Sequence, residues 1–117
     1  MLKLKRIYEA AEDTDGYRIL ADRLWPRGVS KEEAQIDAWN KDITPSNELR
    51  KEYHSQAIDF AEFSMEYRAE LEKNAQALEA CREIAQKAKD ETVTLLTATK
   101  DIATSHLVIL KDYIENA

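Results

Sequence analysis

Val93-Thr94-Leu95-Leu96-Thr97 decides the fold. The run is short and apolar, it lies between polar residues, and its length is that of a strand rather than a helix. Continuous apolar strands are those buried on both faces, the kind that parallel sheets in α/β proteins contain. The run therefore reads as the central strand of a sheet covered by helices.

Upstream, residues 3–8 and 17–24 are β-prone and partly apolar, and Glu12-Asp13-Thr14-Asp15-Gly16 between them is a turn signal. A parallel crossover normally needs a dozen or more residues. A hairpin is therefore the default reading, with a clipped parallel connection as the alternative.

Helical patterns fill most of the remaining chain. Ser30 followed by Glu33 is a capping box and predicts a helix over about 31–41. Thr44-Pro45 reads as an N-cap with proline at the first helical position, opening a short helix through Glu48, Leu49 and Arg50. From Ile58, the residues Phe60, Phe63, Tyr67 and Leu71 recur at helical spacing. Asn74 interrupts, and Leu78, Cys81, Ile84 and Ala88 continue. A final helix is predicted over about Ile102–Tyr113, with His106 among apolar neighbours. Glu62, Glu66, Glu70, Glu72 and Glu83 fall between the apolar positions and read as a solvated face rather than a metal site.

The chain has 117 residues, 44 % hydrophobic and 34 % charged, with two glycines and two prolines. That length suits one domain with one core, taken as residues 1–117, and the composition is that of a globular protein. No apolar run reaches membrane-spanning length and the N-terminus lacks a signal-peptide core, so the expected location is the cytoplasm. Cys81 is the only cysteine, which excludes an internal disulfide and a cysteine-based zinc site within one chain, and its apolar neighbours make it a packing residue.

The net charge of −6 is uneven: residues 1–31 carry +2 and residues 32–117 carry −8. The positive end contains Asp22-Arg23-Leu24-Trp25-Pro26-Arg27-Gly28. Proline fixes one backbone angle and glycine permits positive φ, so the chain can turn sharply there and present two guanidiniums. Guanidinium groups grip planar oxyanions bidentately, which points to a phosphate-bearing or other anionic small molecule. A local basic site in an acidic protein suits such a ligand better than a nucleic-acid backbone.

In open α/β sheets, ligands bind beyond the carboxyl ends of the strands. Two such ends carry polar residues here, Asp22-Arg23 and the loop Thr97 to Asp101, and the first turn of the following helix adds free amides and a favourable dipole. The candidate ligand-binding residues are Arg23, Arg27, Ser46, Arg50, Thr97 and Lys100. The candidate catalytic residues are His106, as acid or base, with Asp22 or Asp101 as its orienting partner. The competing readings are a satisfied core histidine, Arg23 held by Asp22, Asp42 or Asp101 in an internal brace, and Arg50 paired with Glu48 or Glu52. Trp25 and Trp39 read as core and cleft wall, and His54 has no assigned role. No dinucleotide, Walker, nucleophile-elbow or zinc motif is present, so no cofactor and no metal is expected.

Arg6-Ile7-Tyr8-Glu9, Gly16 to Leu20, Asp22 to Lys31, Trp39 to Asp42, Pro45-Ser46 with Leu49-Arg50, and Val93 to Leu96 together resemble the YeaO-like bacterial family of unknown function, over nearly the whole chain. The resemblance implies a small α/β domain with a Rossmann-like flavour, and the elements read from the residues make it a three-stranded, mainly parallel Rossmann-like sheet packed by about five helices. Broader relatives of that family carry a cysteine at the end of the last strand and a Cys-His-Arg element in the next helix. These match Thr97 and Ser105-His106-Leu107, so only the histidine is kept, and thiol chemistry implied for those relatives does not carry over. A Pro-Pro of the family is Ala10-Ala11 here, and an Arg-Asp is Lys100-Asp101, which keeps the charge but loses the planar fork.

The leading expectation is an anion-binding protein, with hydrolase or transferase chemistry if His106 acts on the ligand. The alternative is a non-catalytic regulatory or nucleic-acid- or protein-binding module using the same arginines.

Overall fold

The computed structural model describes residues 1–116. Four strands, β1 (Leu2–Arg6), β2 (Tyr17–Leu20), β3 (Ala38–Trp39) and β4 (Val93–Thr97), form one sheet in the order β1-β4-β2-β3, with every neighbouring pair parallel. β4 takes the central position its composition predicts, and all five of its residues are buried. Its alternation serves two cores: Val93 and Leu95 pack with Leu2 and Ile19 on one face, and Leu96 with Ile7, Leu20 and Ala34 on the other. Each such side chain contributes about 1.5–3 kcal/mol by leaving water. A one-residue slip would exchange the two sets, so the register is strongly specified.

β1 and β2 are not a hairpin, because β4 lies between them and both run parallel to it. Residues 7–16 bring the chain back along the sheet, and ten residues can reach about 33 Å when extended. A 3₁₀ turn, Asp13–Asp15, ends that return, and the buried Asp15 carboxylate is held there by Lys5 and Arg18. Gly16 follows at φ 65°, with its backbone so close to the neighbouring chain that a Cβ would lie 2.1 Å from the Thr92 carbonyl oxygen.

The sheet has four strands rather than three because the helix predicted over 31–41 stops early, as α1 (Lys31–Ala34). The Ser30–Glu33 capping box starts it as predicted. The buried Arg18 ends it: Nη2 donates to the Ala34 carbonyl at 2.8 Å and Nε to that of Gln35 at 3.1 Å, while Gln35 turns to φ 46°. Asp37 then accepts from the Arg18 amide, and Ala38 and Trp39 pair with Ile19 and Leu20.

Four further helices, α2 (Asn47–His54), α3 (Phe60–Lys73), α4 (Ala75–Asp90) and α5 (His106–Glu115), supply Leu49, Phe63, Cys81 and Leu107 among others to the core shared with Val93 and Leu95. The cap of α2 is Ser46 rather than Thr44: its hydroxyl accepts from the Leu49 amide, while Thr44 donates back to Lys41. Asn74 separates α3 from α4 as predicted, and its side chain caps α4. α5 begins at His106, four residues later than predicted, because Ser105 caps it and a 3₁₀ turn (Ile102–Thr104) fills the space before it. Among the described residues no helix is long and apolar enough to cross a membrane.

Candidate functional site

β2 and β4 run in parallel register with Leu20 opposite Leu96, so the segments after them leave the sheet at the same edge. Asp22 ties those segments together. Its Oδ1 accepts from the Thr97 hydroxyl and its Oδ2 from the Ala98 amide, both at 2.8 Å. A cleft of about 530 Å³ opens over this junction, in the position expected for ligands of open α/β sheets. Its volume falls within the range of small-molecule sites, about 300–1,000 Å³.

The cleft brings together most of the residues singled out in the sequence: Asp22, Arg23, Arg27, Arg50, Lys100 and Asp101 line it, with His106. Ser46 and Thr97 do not line it. Both polar groups of Ser46 go to Glu70, its amide at 2.8 Å and its hydroxyl at 2.6 Å, and the same hydroxyl caps α2. Thr97 is buried, with its hydroxyl spent on Asp22.

The arginines are held differently. Arg23 donates from Nε to the Pro45 carbonyl at 2.7 Å, pairing with backbone instead of with any of the three carboxylates considered for it. Arg50, one helical turn after Ser46, has a buried Nε with no hydrogen-bond partner among the described residues. An unsatisfied buried donor costs about 1–3 kcal/mol. Arg27 and Lys100 are exposed at the cleft wall. The loop carrying Arg27 is fastened from across the sheet, since the Tyr8 hydroxyl donates to the Arg27 carbonyl at 3.1 Å.

His106 sits on the cleft floor with Nε2 2.6 Å from the Ala21 carbonyl oxygen. A carbonyl only accepts, so Nε2 carries the proton and, in the neutral ring, Nδ1 is the lone-pair nitrogen. Burial pushes the His106 pKa below its ordinary value, against the opposing pull of Asp22 and the Ala21 hydrogen bond and with the help of Arg50 and His54. Nδ1 has no partner among the described residues. The only buried unpartnered side-chain nitrogen or oxygen there is Arg50 Nε, so Nδ1 remains open to the cleft.

The apolar part of the wall is Leu24, Trp25, Pro26, Tyr53 and Phe63. Trp25 is fixed by a 2.6 Å bond from its indole nitrogen to the Val29 carbonyl and by an edge contact with Trp39, at 5.4 Å between ring centroids. Leu24 is 64 % exposed, a high value for leucine. Tyr53 and His54, which the sequence reading left unassigned, also line the cleft. Tyr53 lies three positions after Arg50 on α2, so helical spacing alone puts it on the same face. Among the described residues no group of three or more His, Cys, Asp or Glu side chains could hold a metal ion.

The model of a family described as "Inactive DUF488-N3 subclade" matches residues 1–117. The chain belongs to that family. Over 115 residues it is 44 % identical to "Uncharacterized protein YeaO" of Escherichia coli (strain K12), covering 98 % of this chain and 97 % of that one. It is also 39 % identical over 109 residues to uncharacterised proteins of Mycobacterium tuberculosis and Mycobacterium bovis, covering 93 % of this chain and 89 % of each of theirs. The YeaO-like resemblance read from the motifs is thereby borne out. No solved structure matches the chain.

Proposed function

We propose that this member of the DUF488-N3 subclade is a cytoplasmic, non-catalytic module that holds a small phosphate-bearing or other anionic molecule in the cleft. The carrying observation is a reversal of charge. In a protein of net charge −6, the cleft gathers four cationic side chains against two carboxylates, and one of those two, Asp22, has both oxygens engaged by Thr97 and Ala98. Low-dielectric walls focus such a field on an entering anion. The reading takes the sheet as Rossmann-like in the sense that the ligand lies beyond the carboxyl ends of parallel strands.

Turnover is disfavoured by where the candidate groups are spent. The Thr97 hydroxyl serves Asp22, and the Ser105 hydroxyl donates to the Ile102 carbonyl and caps α5, so neither is poised beside a base. His106 holds its proton toward a backbone carbonyl instead of a nucleophile. The word "Inactive" in the description of the matched family agrees with this.

Calorimetric titration with inorganic phosphate, sugar phosphates and nucleotides tests the reading. Saturable binding of at least one anion is expected, weakened at least tenfold by Arg23→Lys and by Arg50→Lys, with circular dichroism unchanged. Binding of no anion overturns the proposal, and multiple turnover of a bound anion overturns its non-catalytic half.

A further inference from the structure

Resting on that anion-binding reading, we propose that the cleft selects a nucleoside phosphate, its heterocycle against the Leu24-Trp25-Pro26 wall and its phosphate at Arg23 and Arg50. The cleft is too large and too apolar for a bare inorganic anion, since beside its charged groups it presents a tryptophan and a leucine left 64 % exposed. Exposed apolar surface gathered in a concave site is what a ligand's own apolar body covers. A flat ring suits this wall, because Trp25 is held in one orientation by Val29 and Trp39 and needs no ordering when a base stacks on it.

The polar groups narrow the class further. Arg23 and Arg50 flank Pro45: one is bonded to its carbonyl and the other stands on the helix that follows it, and both line the cleft. Acceptors are also present. Asp101 spends one oxygen on the Ala103 amide while the other has no partner among the described residues, and Nδ1 of His106 carries an open lone pair. A simple aromatic carboxylate brings no donors for these atoms. Ribose hydroxyls and a base amino group bring several, and they sit between the flat ring and the phosphate.

Titration of the intact protein with AMP, adenosine, inorganic phosphate and benzoate, followed by calorimetry and tryptophan fluorescence, tests the assignment. AMP should bind at least tenfold more tightly than each of the other three. Leu24→Ser, at a position too exposed to matter to the core, and Trp25→Phe should each weaken AMP several-fold while leaving phosphate unchanged. Phosphate or benzoate binding as well as AMP overturns this inference and leaves the anion-binding reading standing. Failure of every anion to bind removes both.

Discussion

Asp22 and His106 meet on the cleft floor with Oδ1 3.4 Å from Nε2, but they are not an ion pair: the ring proton goes to the Ala21 carbonyl, and the carboxylate is satisfied from the other side by Thr97 and Ala98. The pair braces the ends of β2 and β4 around a histidine that burial keeps neutral.

The His106 ring is expected to titrate below 6.5, and an NMR titration of its Cε1 proton should place the midpoint there. The folded value is depressed, so an unfolded chain takes up the proton first as pH falls. This histidine therefore contributes no penalty above about pH 6.5 and a growing one below it. His106→Gln should lose less stability than the wild type between pH 7.5 and pH 5. An equal loss in both would contradict the assignment.

Asp15 has the opposite behaviour. Burial pushes its carboxyl up, but hydrogen bonds from the Glu12 amide, Lys5 and Arg18 outweigh that and hold it below 3.8. Its stabilising contribution is present above about pH 4 and is lost as pH falls through the depressed folded value. Asp15→Ala leaves Arg18, only 4 % exposed, without its counter-charge, and should destabilise by about 3–5 kcal/mol in urea unfolding. A loss below 1 kcal/mol would show that the Ala34 and Gln35 carbonyls suffice for Arg18.

The two glycines should respond unequally to alanine. At Gly28 (φ 74°) a Cβ would meet nothing within 4 Å, so Gly28→Ala should cost about 1–2 kcal/mol, the left-handed backbone penalty alone. Gly16→Ala adds a collision with the Thr92 carbonyl and should exceed it clearly, which thermal melts of the two variants will show.

Cys81→Ala should lower stability by about 1 kcal/mol and leave ligand binding alone. Burial pushes the thiol pKa up to about 11, so an aromatic disulfide reagent should label native Cys81 far more slowly than the urea-unfolded chain. Equal rates would contradict the buried assignment.

What was legible in the sequence was whatever periodicity and composition encode. The central strand, the packing stripes around Phe63 and Cys81, the Ser30 cap and the Arg23-to-Arg27 corner were all readable. What was not legible depends on long-range partners. Nothing local to residues 31–41 announces that Arg18 takes the carbonyls that end α1 and frees Ala38 and Trp39 to pair. Nothing local to residues 7–16 announces that β4 lies beside β1. At the cleft, the charged residues were found by type, whereas Ser46 was misread because its partner, Glu70, lies on α3.

The position of β4 also sets an order of assembly. β1, β2 and β3 emerge from the ribosome early and β2 can pair with β3, yet β1 has no neighbour and the inner edge of β2 stays open until residues 93–97 have been made. At about 5–20 residues per second, the inner edge of β2 waits roughly 4–15 s for the strand that fills it. The sheet closes by contacts distant in sequence, such as Leu2 with Val93, the kind that slow folding. A nascent chain stalled before residue 93 therefore holds an unpaired β1, a β2–β3 pair with one open edge and half of the cleft, a species for chaperones.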